Sequence, residues 1–359
     1  MSSPTGSPRR KRKKMCQDFV TVSGTDSKLA AHFLEKASWD NEKALNMYFE
    51  SDLQGAGSQD GDGAGAKESQ PSGRTVNPSD KPSSSKEGPL PDSQPKRQTA
   101  SPTQITFITW NVDGLCQRGI VERTSAICQI LKSKSPDIIF LQEVIPLTFS
   151  VFSEKLKDYT AIPAGNKSYF TLVLLKKASV TSISSEVEPF PETGMGRAVQ
   201  IVQCQCAGLD LRLMCSHLES TASGAAERKR QFSRVLNLMK TAPKKETVLF
   251  GGDTNLRDKE VAKVGLPSYI HDVWELMGSP VESKFTWDVL NNDNLEWPFP
   301  SRPRLRFDRL YLRQAAPDPR VAPATFSLLG KERLPSCDMF PSDHWGILCT
   351  LRVLDKPDT

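Results

Sequence analysis

No run of about 18 consecutive apolar residues occurs in the 359-residue sequence, so no membrane-spanning helix is expected. The eight cysteines, Cys16, Cys116, Cys128, Cys204, Cys206, Cys215, Cys337 and Cys349, include no C-x-x-C pair. With only four histidines, no second pair stands at zinc-ligand spacing. A structural zinc or a disulfide framework is therefore not expected, and reduced, mostly buried thiols in the cytosol or nucleus are. A broadly basic surface is lacking too. Six of the positive charges sit in Arg9-Arg10-Lys11-Arg12-Lys13-Lys14, and without them the formal net charge of +5 becomes −1. That excludes a histone-like coat on nucleic acid and confines any such contact in the folded part to a local groove. No apolar stretch follows the tract, so it does not read as a secretory signal. A nuclear import signal is favoured over a solvated or polyanion-binding tail, which makes the nucleus the expected location, with room for a cytoplasmic pool. Aromatic residues are absent from residues 53 to 101, where Gly, Ser and Pro dominate. Such a segment cannot bury enough apolar area to offset its ordering entropy, and a disordered linker is expected there.

What is present falls on either side of that linker. Residues 1–15 read as a basic disordered tail. Over 16–52, Thr25-Asp26-Ser27 looks like a helix cap, and Leu29, Ala30, Phe33, Leu34 and Ala37 recur at helical spacing. Trp39-Asp40-Asn41 turns into a second amphipathic run with Ala44, Leu45, Tyr48 and Phe49, while Phe19 and Val20 offer a third side to a small core. A helical decoration packed on the main domain is the alternative. From 102 to 359, apolar strands are expected over 105–112, 137–144, 169–175, 198–206, 209–218, 247–252, 306–312 and 344–353. Phe232, Val235, Leu236 and Met239 share one face of a helix over 225–240, and a second helix is expected over 124–134. Two sheets sandwiched between helices is the architecture that fits.

The polar chemistry sits at the strand ends. Thr109-Trp110-Asn111-Val112-Asp113-Gly114-Leu115, Leu141-Gln142-Glu143, Ser216-His217-Leu218, Gly252-Asp253-Thr254-Asn255 and Ser342-Asp343-His344 each close or open an apolar strand. Singly, each has a bland reading: a turn, a solvated strand end or a satisfied core histidine. Together, hydrophobic strands ending in Asn, Asp, Glu or His suggest one polar site where strand ends converge. Several Asp, Glu and Asn ligands with little sulfur favour a hard cation, Mg²⁺ with Mn²⁺ as substitute, over zinc.

The order and spacing of the five motifs closely resembles the endonuclease/exonuclease/phosphatase superfamily of DNase I-like metal phosphodiesterases. The longer stretches Ser216-His217-Leu218-Glu219-Ser220-Thr221, Gly252 to Asp258 and Phe340 to Gly346 resemble its tyrosyl-DNA phosphodiesterase branch. The segment 16–52 is similar to three-helix UBA-like domains. The resemblance implies an α/β (α+β) fold, a four-layer α/β/β/α sandwich, preceded by a UBA-like domain. It implies a Mg²⁺-dependent enzyme that hydrolyses the bond between a DNA 5′ phosphate and a topoisomerase II tyrosine, with the peptide remnant and ubiquitin as partners and no membrane. An abasic-site endonuclease, a lipid phosphodiesterase and a ubiquitin-reading adaptor stay open as alternatives.

The roles that follow from the resemblance can be set against the residues. Glu143 is the expected direct metal ligand and Asp113 its support. Asp253 is the expected base, with Asn255 and Asn111 holding phosphate or water. His344, oriented by Asp343, is the expected imidazolium, with His217 opposite. The stretches Asn111, Val112, Asp113, Gly114 and Leu115; His217, Leu218, Glu219, Ser220 and Thr221; and Asn255, Leu256 and Arg257 are expected to meet DNA. Arg197 and Arg257 stand beside glycines or the catalytic loop, where a guanidinium suits phosphate. Tyr169, Trp287 and Phe307 are candidate platforms for an unpaired base, although Tyr169 and Phe307 lie in strand-like runs where an aromatic is more often core.

Overall fold

The computed structural model describes residues 8–23, 27–39, 44, 104–166, 168–297 and 302–355. The expected linker lies outside them, as do most residues of the expected last UBA-like helix. Two helices, α1 (Pro8–Ser23) and α2 (Ser27–Lys36), bury Phe19, Ala30, Phe33 and Leu34 in one cluster with Ala37 and Ala44. Phe19 and Phe33 stack with ring centroids 6.5 Å apart. The basic tract, expected as an unstructured tail, lies within α1, and Arg12 covers the Trp39 ring at 4.6 Å. Its aliphatic stems and the absence of helix breakers after Pro8 allow this. Pro at the first helical position costs no backbone hydrogen bond.

The larger domain begins with β1 (Gln104–Asn111), α3 (Ile120–Lys134), β2 (Ile138–Val144), α4 (Pro146–Lys155), β3 (Tyr159–Pro163) and β4 (Phe170–Lys176). It continues through β5 (Val180–Pro189), β6 (Ala198–Cys206), β7 (Leu209–His217), α5 (Ala225–Thr241), β8 (Thr247–Asp253), α6 (Asp258–Val264) and β9 (Ile270–Asp272). It ends with the ribbon β10 (Trp287–Asp288) and β11 (Arg304–Leu305), then β12 (Asp308–Arg313), β13 (Val321–Leu329) and β14 (Gly346–Val353). Among the described residues these strands form two six-stranded sheets. The first has the order β13-β14-β1-β2-β4-β3, and the second β5-β6-β7-β8-β12-β9.

The near-continuous apolar strands expected from the sequence are buried on both faces. Phe107, Phe140, Val173, Leu213, Leu249, Leu310 and Cys349 fill the space between the sheets. Ile127 and Leu131 of α3 and Phe152 of α4 cover the outer face of the first sheet, against Trp110 and Leu141. Phe232, Val235, Leu236 and Met239 of α5 cover the second, against Phe250 and Tyr311. The result is the four-layer α/β/β/α sandwich. Helices α4 and α6 and the strands β3, β5, β9, β10, β11 and β13 were not expected. Strand β5 is exposed along nearly its whole length, so it carries little hydrophobic signal. Burial pushes the thiols of Cys204, Cys206, Cys215 and Cys349 up to about 12, and all eight cysteines are free. Among the described residues no helix is long and apolar enough to cross a membrane.

Candidate active site

Strand register builds the site. Parallel pairing of β7 with β8 sets His217 beside Asp253, and antiparallel pairing of β8 with β12 sets Asp308 on the other side of Asp253. In the facing sheet, β1 and β2 pair Asn111 with Gln142, which places Glu143 just past the end of that row. The last motif arrives ahead of β14. Ser342 Oγ donates to the Asn111 carbonyl and accepts the N–H of His344 at 3.1 Å, tying the approach to β14 to the end of β1 within the first sheet.

Asp253 is the hub. Its Oδ2 accepts from Asn111 Nδ2 at 2.9 Å and lies 3.3 Å from His217 Nε2 and 3.7 Å from His344 Nε2. Its Oδ1 accepts the Asn255 N–H at 3.0 Å. Burial pushes this carboxyl up, but the histidines, Asn111 and the Asn255 amide outweigh that and hold it below its ordinary value. His217 is itself driven down to about 3, chiefly by burial, so at neutral pH it is uncharged. The standing positive charge facing Asp253 is therefore His344. Burial opposes that charge, and Asp308, Asp253 and Asp343 overcome it and hold the imidazole well above its ordinary range. The site thus contains an ionised Asp253 beside an imidazolium.

The carboxylate that orients His344 is Asp308, whose Oδ2 lies 2.7 Å from His344 Nδ1, and not its sequence neighbour Asp343. Asp343 sits on a bend just ahead of His344. It accepts instead from Trp287 Nε1 at 3.3 Å. Asp308 was missed although Arg306-Phe307-Asp308-Arg309 was visible. Three charged residues in a strand with buried neighbours were the available signal, since such charges persist only when partnered. Thr286, which accepts the Asp308 N–H at 2.9 Å, and Ser342 were also missed.

Glu143 and Asp113 form the acidic side of the site. Burial first, then repulsion from Asp343, pushes Glu143 up to about 7 and Asp113 up to about 8. Arg123, fully buried, offsets part of this by pairing with Asp113 at 3.2 Å while donating to the carbonyls of Asp113, Cys116 and Pro341. Asp113, Glu143 and Asn255 all have positive φ, at 49°, 56° and 51°. Non-glycine residues persist in that region only where the surroundings hold them, and here all three carry site side chains. The backbone approach is equally close at Gly114, where a Cβ would lie 2.1 Å from the Glu143 carbonyl oxygen. Carboxyls strained toward protonation fit a bound cation, whose charge would relieve them. Asp253, Asp308 and His344 also bring one ligand atom each within 4.8 Å of one another and could hold a metal. The close His344–Asp308 bond already occupies that group, so the Glu143 side fits a cation better.

The expected DNA-contacting residues divide by exposure. Leu115 is 52% exposed, whereas Val112, Leu218 and Leu256 are buried and offer no side-chain surface. Thr221 is exposed, and Ser220 accepts from Asn255 Nδ2 and Arg197 Nη2. The Glu219 carboxylate is buried and bound to Thr193, Gly194 and Gln231, turned to protein donors instead of a phosphate. Trp287 lies 5.5 Å from Phe307, and Arg257 covers the Phe307 ring at 5.1 Å, leaving Phe307 only 8% exposed. On the other side of the site, Arg197 covers Tyr169 at 5.2 Å, and with Glu143 and His217 they line a cavity of about 250 Å³.

The arrangement has relatives. The endonuclease/exonuclease/phosphatase family model matches residues 108–344, and a UBA-like domain model matches residues 13–54. Tyrosyl-DNA phosphodiesterase 2 of Bos taurus is 41% identical over 346 residues, spanning 96% of this chain and 94% of that protein. The Homo sapiens protein of the same name is 40% identical over the same coverage. The structure of D. rerio TDP2 complexed with single-strand DNA product is 41% identical, covers 70% of this chain and 99% of that one, and superposes with a TM-score of 0.68. TDP2 from C. elegans is 28% identical, covers 98% of this chain and 96% of its own, with a TM-score of 0.64. The chain therefore belongs to the endonuclease/exonuclease/phosphatase family, in the branch of the tyrosyl-DNA phosphodiesterase 2 enzymes.

Proposed function

We propose that the chain is a Mg²⁺-dependent 5′-tyrosyl-DNA phosphodiesterase, which cleaves the link between a DNA 5′ end and a topoisomerase II tyrosine and leaves a 5′ phosphate for strand-break repair. The observation that carries this reading is the Asp253 hub: an ionised carboxylate held by Asn111 and His217, faced by the His344 imidazolium and flanked by Glu143 and Asp113. Asp253 orients a water for in-line attack and accepts its proton. Asn111 and Asn255 hold the water and the phosphate. His344, fixed by Asp308, meets the negative charge that grows on the pentacoordinate phosphorus oxygens. Glu143, supported by Asp113, would hold the cation, which when bound neutralises non-bridging phosphate charge. The leaving phenol has a pKa of about 10, far below an aliphatic alcohol, so the site needs no strong general acid.

A phosphotyrosyl linkage has two arms, and aromatic side chains stand on two sides of the hub. Trp287, backed by the buried Phe307, suits a terminal base, while the cavity at Tyr169 and Arg197 suits the tyrosyl side. Trp287→Ala should raise KM on a single-stranded 5′-tyrosyl oligonucleotide roughly tenfold, one stacking contact's worth. It should leave hydrolysis of a small chromogenic aryl phosphodiester within about twofold, because that substrate has no second base to stack. Equal losses on both substrates would remove Trp287 as a platform.

The raised carboxyls give a pH signature. Glu143 and Asp113 bind protons near neutrality when no cation is present, so proton and cation compete, and metal is bound less tightly as pH falls through their values of about 7 and about 8. The melting temperature should rise on adding Mg²⁺ by several degrees at about pH 9 and by much less at about pH 6. A pH-independent shift would contradict the assignment.

The UBA-like segment is proposed to bind ubiquitin or ubiquitylated adducts, and the Arg9–Lys14 tract to direct nuclear import. Turnover of 5′-phosphotyrosyl DNA in preference to abasic duplex separates this function from an abasic-site endonuclease. Metal-dependent turnover of any kind separates it from an adaptor with a vestigial domain.

A further inference from the structure

The β5–β6 connection closes as a ladder at Pro189 and Ala198, and beyond that pair only the Phe190 N–H to Arg197 carbonyl bond extends it. Residues 191, 192 and 194–196 are exposed, so hydrophobic packing does not set the loop's shape. Glu219 does. Its Oε1 accepts the Gly194 N–H at 3.0 Å, and its Oε2 accepts from Thr193 Oγ1 at 2.8 Å. Thr193 Oγ1 in turn accepts the N–H of Arg197 at 2.8 Å and of Met195 at 3.3 Å. From below, α5 locks the carboxylate. Gln231 donates to Glu219 Oε2 at 3.0 Å and accepts its backbone N–H at 2.8 Å, and Arg228 donates to its carbonyl at 2.9 Å. The other end of the chain of bonds is Arg197, which stacks on Tyr169, donates to Ser220 Oγ at 2.9 Å and has a buried Nε with no protein partner.

A buried carboxylate is costly, and the side-chain donors that satisfy Glu219 are uncharged. A neutral residue could tie down an ordinary surface loop. We propose that Glu219 is a positioning residue for substrate engagement: its carboxylate fixes the Thr193–Arg197 loop and through it aims the Arg197 guanidinium at the substrate in the Tyr169 cavity. The proposal rests on the reading of that cavity as the seat of the phosphotyrosyl link. It also assigns Glu219 a place in the site without contact to DNA.

A double-mutant cycle tests it on the full chain with a 5′-tyrosyl oligonucleotide. Glu219→Gln, which keeps the shape but supplies one acceptor oxygen for three donors, should lower kcat/KM about tenfold, mainly through KM. Arg197→Ala should lower it about a hundredfold, and the pair together should lose no more than Arg197→Ala alone. Thr193→Val breaks the same chain of bonds at a half-buried position and should reproduce Glu219→Gln if that variant fails to fold; Thr193→Ser should restore activity. Losses that multiply in the double variant, or a Glu219→Gln and a Thr193→Val that both match wild type, would overturn the positioning role while leaving the enzyme's assignment intact. A wild-type chain that does not turn over this substrate would overturn both.

Discussion

Asp253→Asn should lower kcat/KM on a 5′-tyrosyl oligonucleotide by about four orders of magnitude, with the protein still folded. The amide cannot take a proton from water, which removes the base. It also turns a donor toward a pocket built for an acceptor. Asn111 Nδ2 and the Asn255 N–H donate to the two oxygens of Asp253, and His217 Nε2 lies 3.3 Å from one of them. The variant must misplace at least one of these, so water and phosphate lose their alignment as well. His344 feels the change too, since Asp253 is one of the charges that keep its imidazole protonated. Three roles thus fail in one substitution, which is why the loss should exceed that of removing a single oxyanion donor, roughly a hundred- to a thousandfold. A melting temperature within a few degrees of wild type shows that the loss is chemical. Hydrolysis within tenfold of wild type would remove Asp253 as the base.

Glu143→Gln should lower metal-supported turnover about a thousandfold, and it should do so while stabilising the metal-free protein. Glu143 stands among Asp343, Asp253 and Asp113, and burial with their repulsion already lifts it to about 7. Neutralising it relieves that repulsion. The sign follows from linkage: a carboxyl raised in the folded state weakens the fold as pH climbs through its folded value, so its removal should help most at alkaline pH. The same substitution removes the best cation ligand. The Mg²⁺-induced rise in melting temperature should therefore vanish in Glu143→Gln while the metal-free baseline goes up. A variant that lost activity but kept the full Mg²⁺ shift would place the cation elsewhere, and the Asp253, Asp308 and His344 group would be the next candidate.

The sheets were legible because buried strands announce themselves. Residues 105–112, 137–144 and 247–252 are apolar runs, and all three are central strands with both faces covered. Strand β5 was not, because an exposed edge strand rich in Ser and Glu lacks the alternation that marks a half-buried one. The site was legible in part for a topological reason. Parallel pairing aligns strand ends, so motifs ending separate strands gather at one edge, as His217 and Asp253 do. What stayed hidden was pairing across strands. The partner of His344 lies 36 residues earlier, on β12, and only the register of β12 on β8 reveals it. The sequence neighbour Asp343 was the natural candidate and points the other way. The role of Glu219 was hidden for the same reason, since it is a buried charge whose partners come from a separate loop and from α5.

The near-neutral charge outside the basic tract acquires a meaning from the site. Among the described residues, positive charge facing the hub comes from His344, Arg197 and Arg257, with Arg123 buried against Asp113, a few groups suited to one phosphate linkage rather than to a length of duplex. The most direct test of the account is hydrolysis of an oligonucleotide bearing a 5′ tyrosine, assayed with and without Mg²⁺ beside the same oligonucleotide bearing a 3′ tyrosine. The account predicts release of tyrosine and a 5′-phosphorylated strand from the first substrate only, and only with Mg²⁺ present. Equal cleavage of the 3′ adduct, or undiminished cleavage of the 5′ adduct after removal of divalent cations, would contradict it.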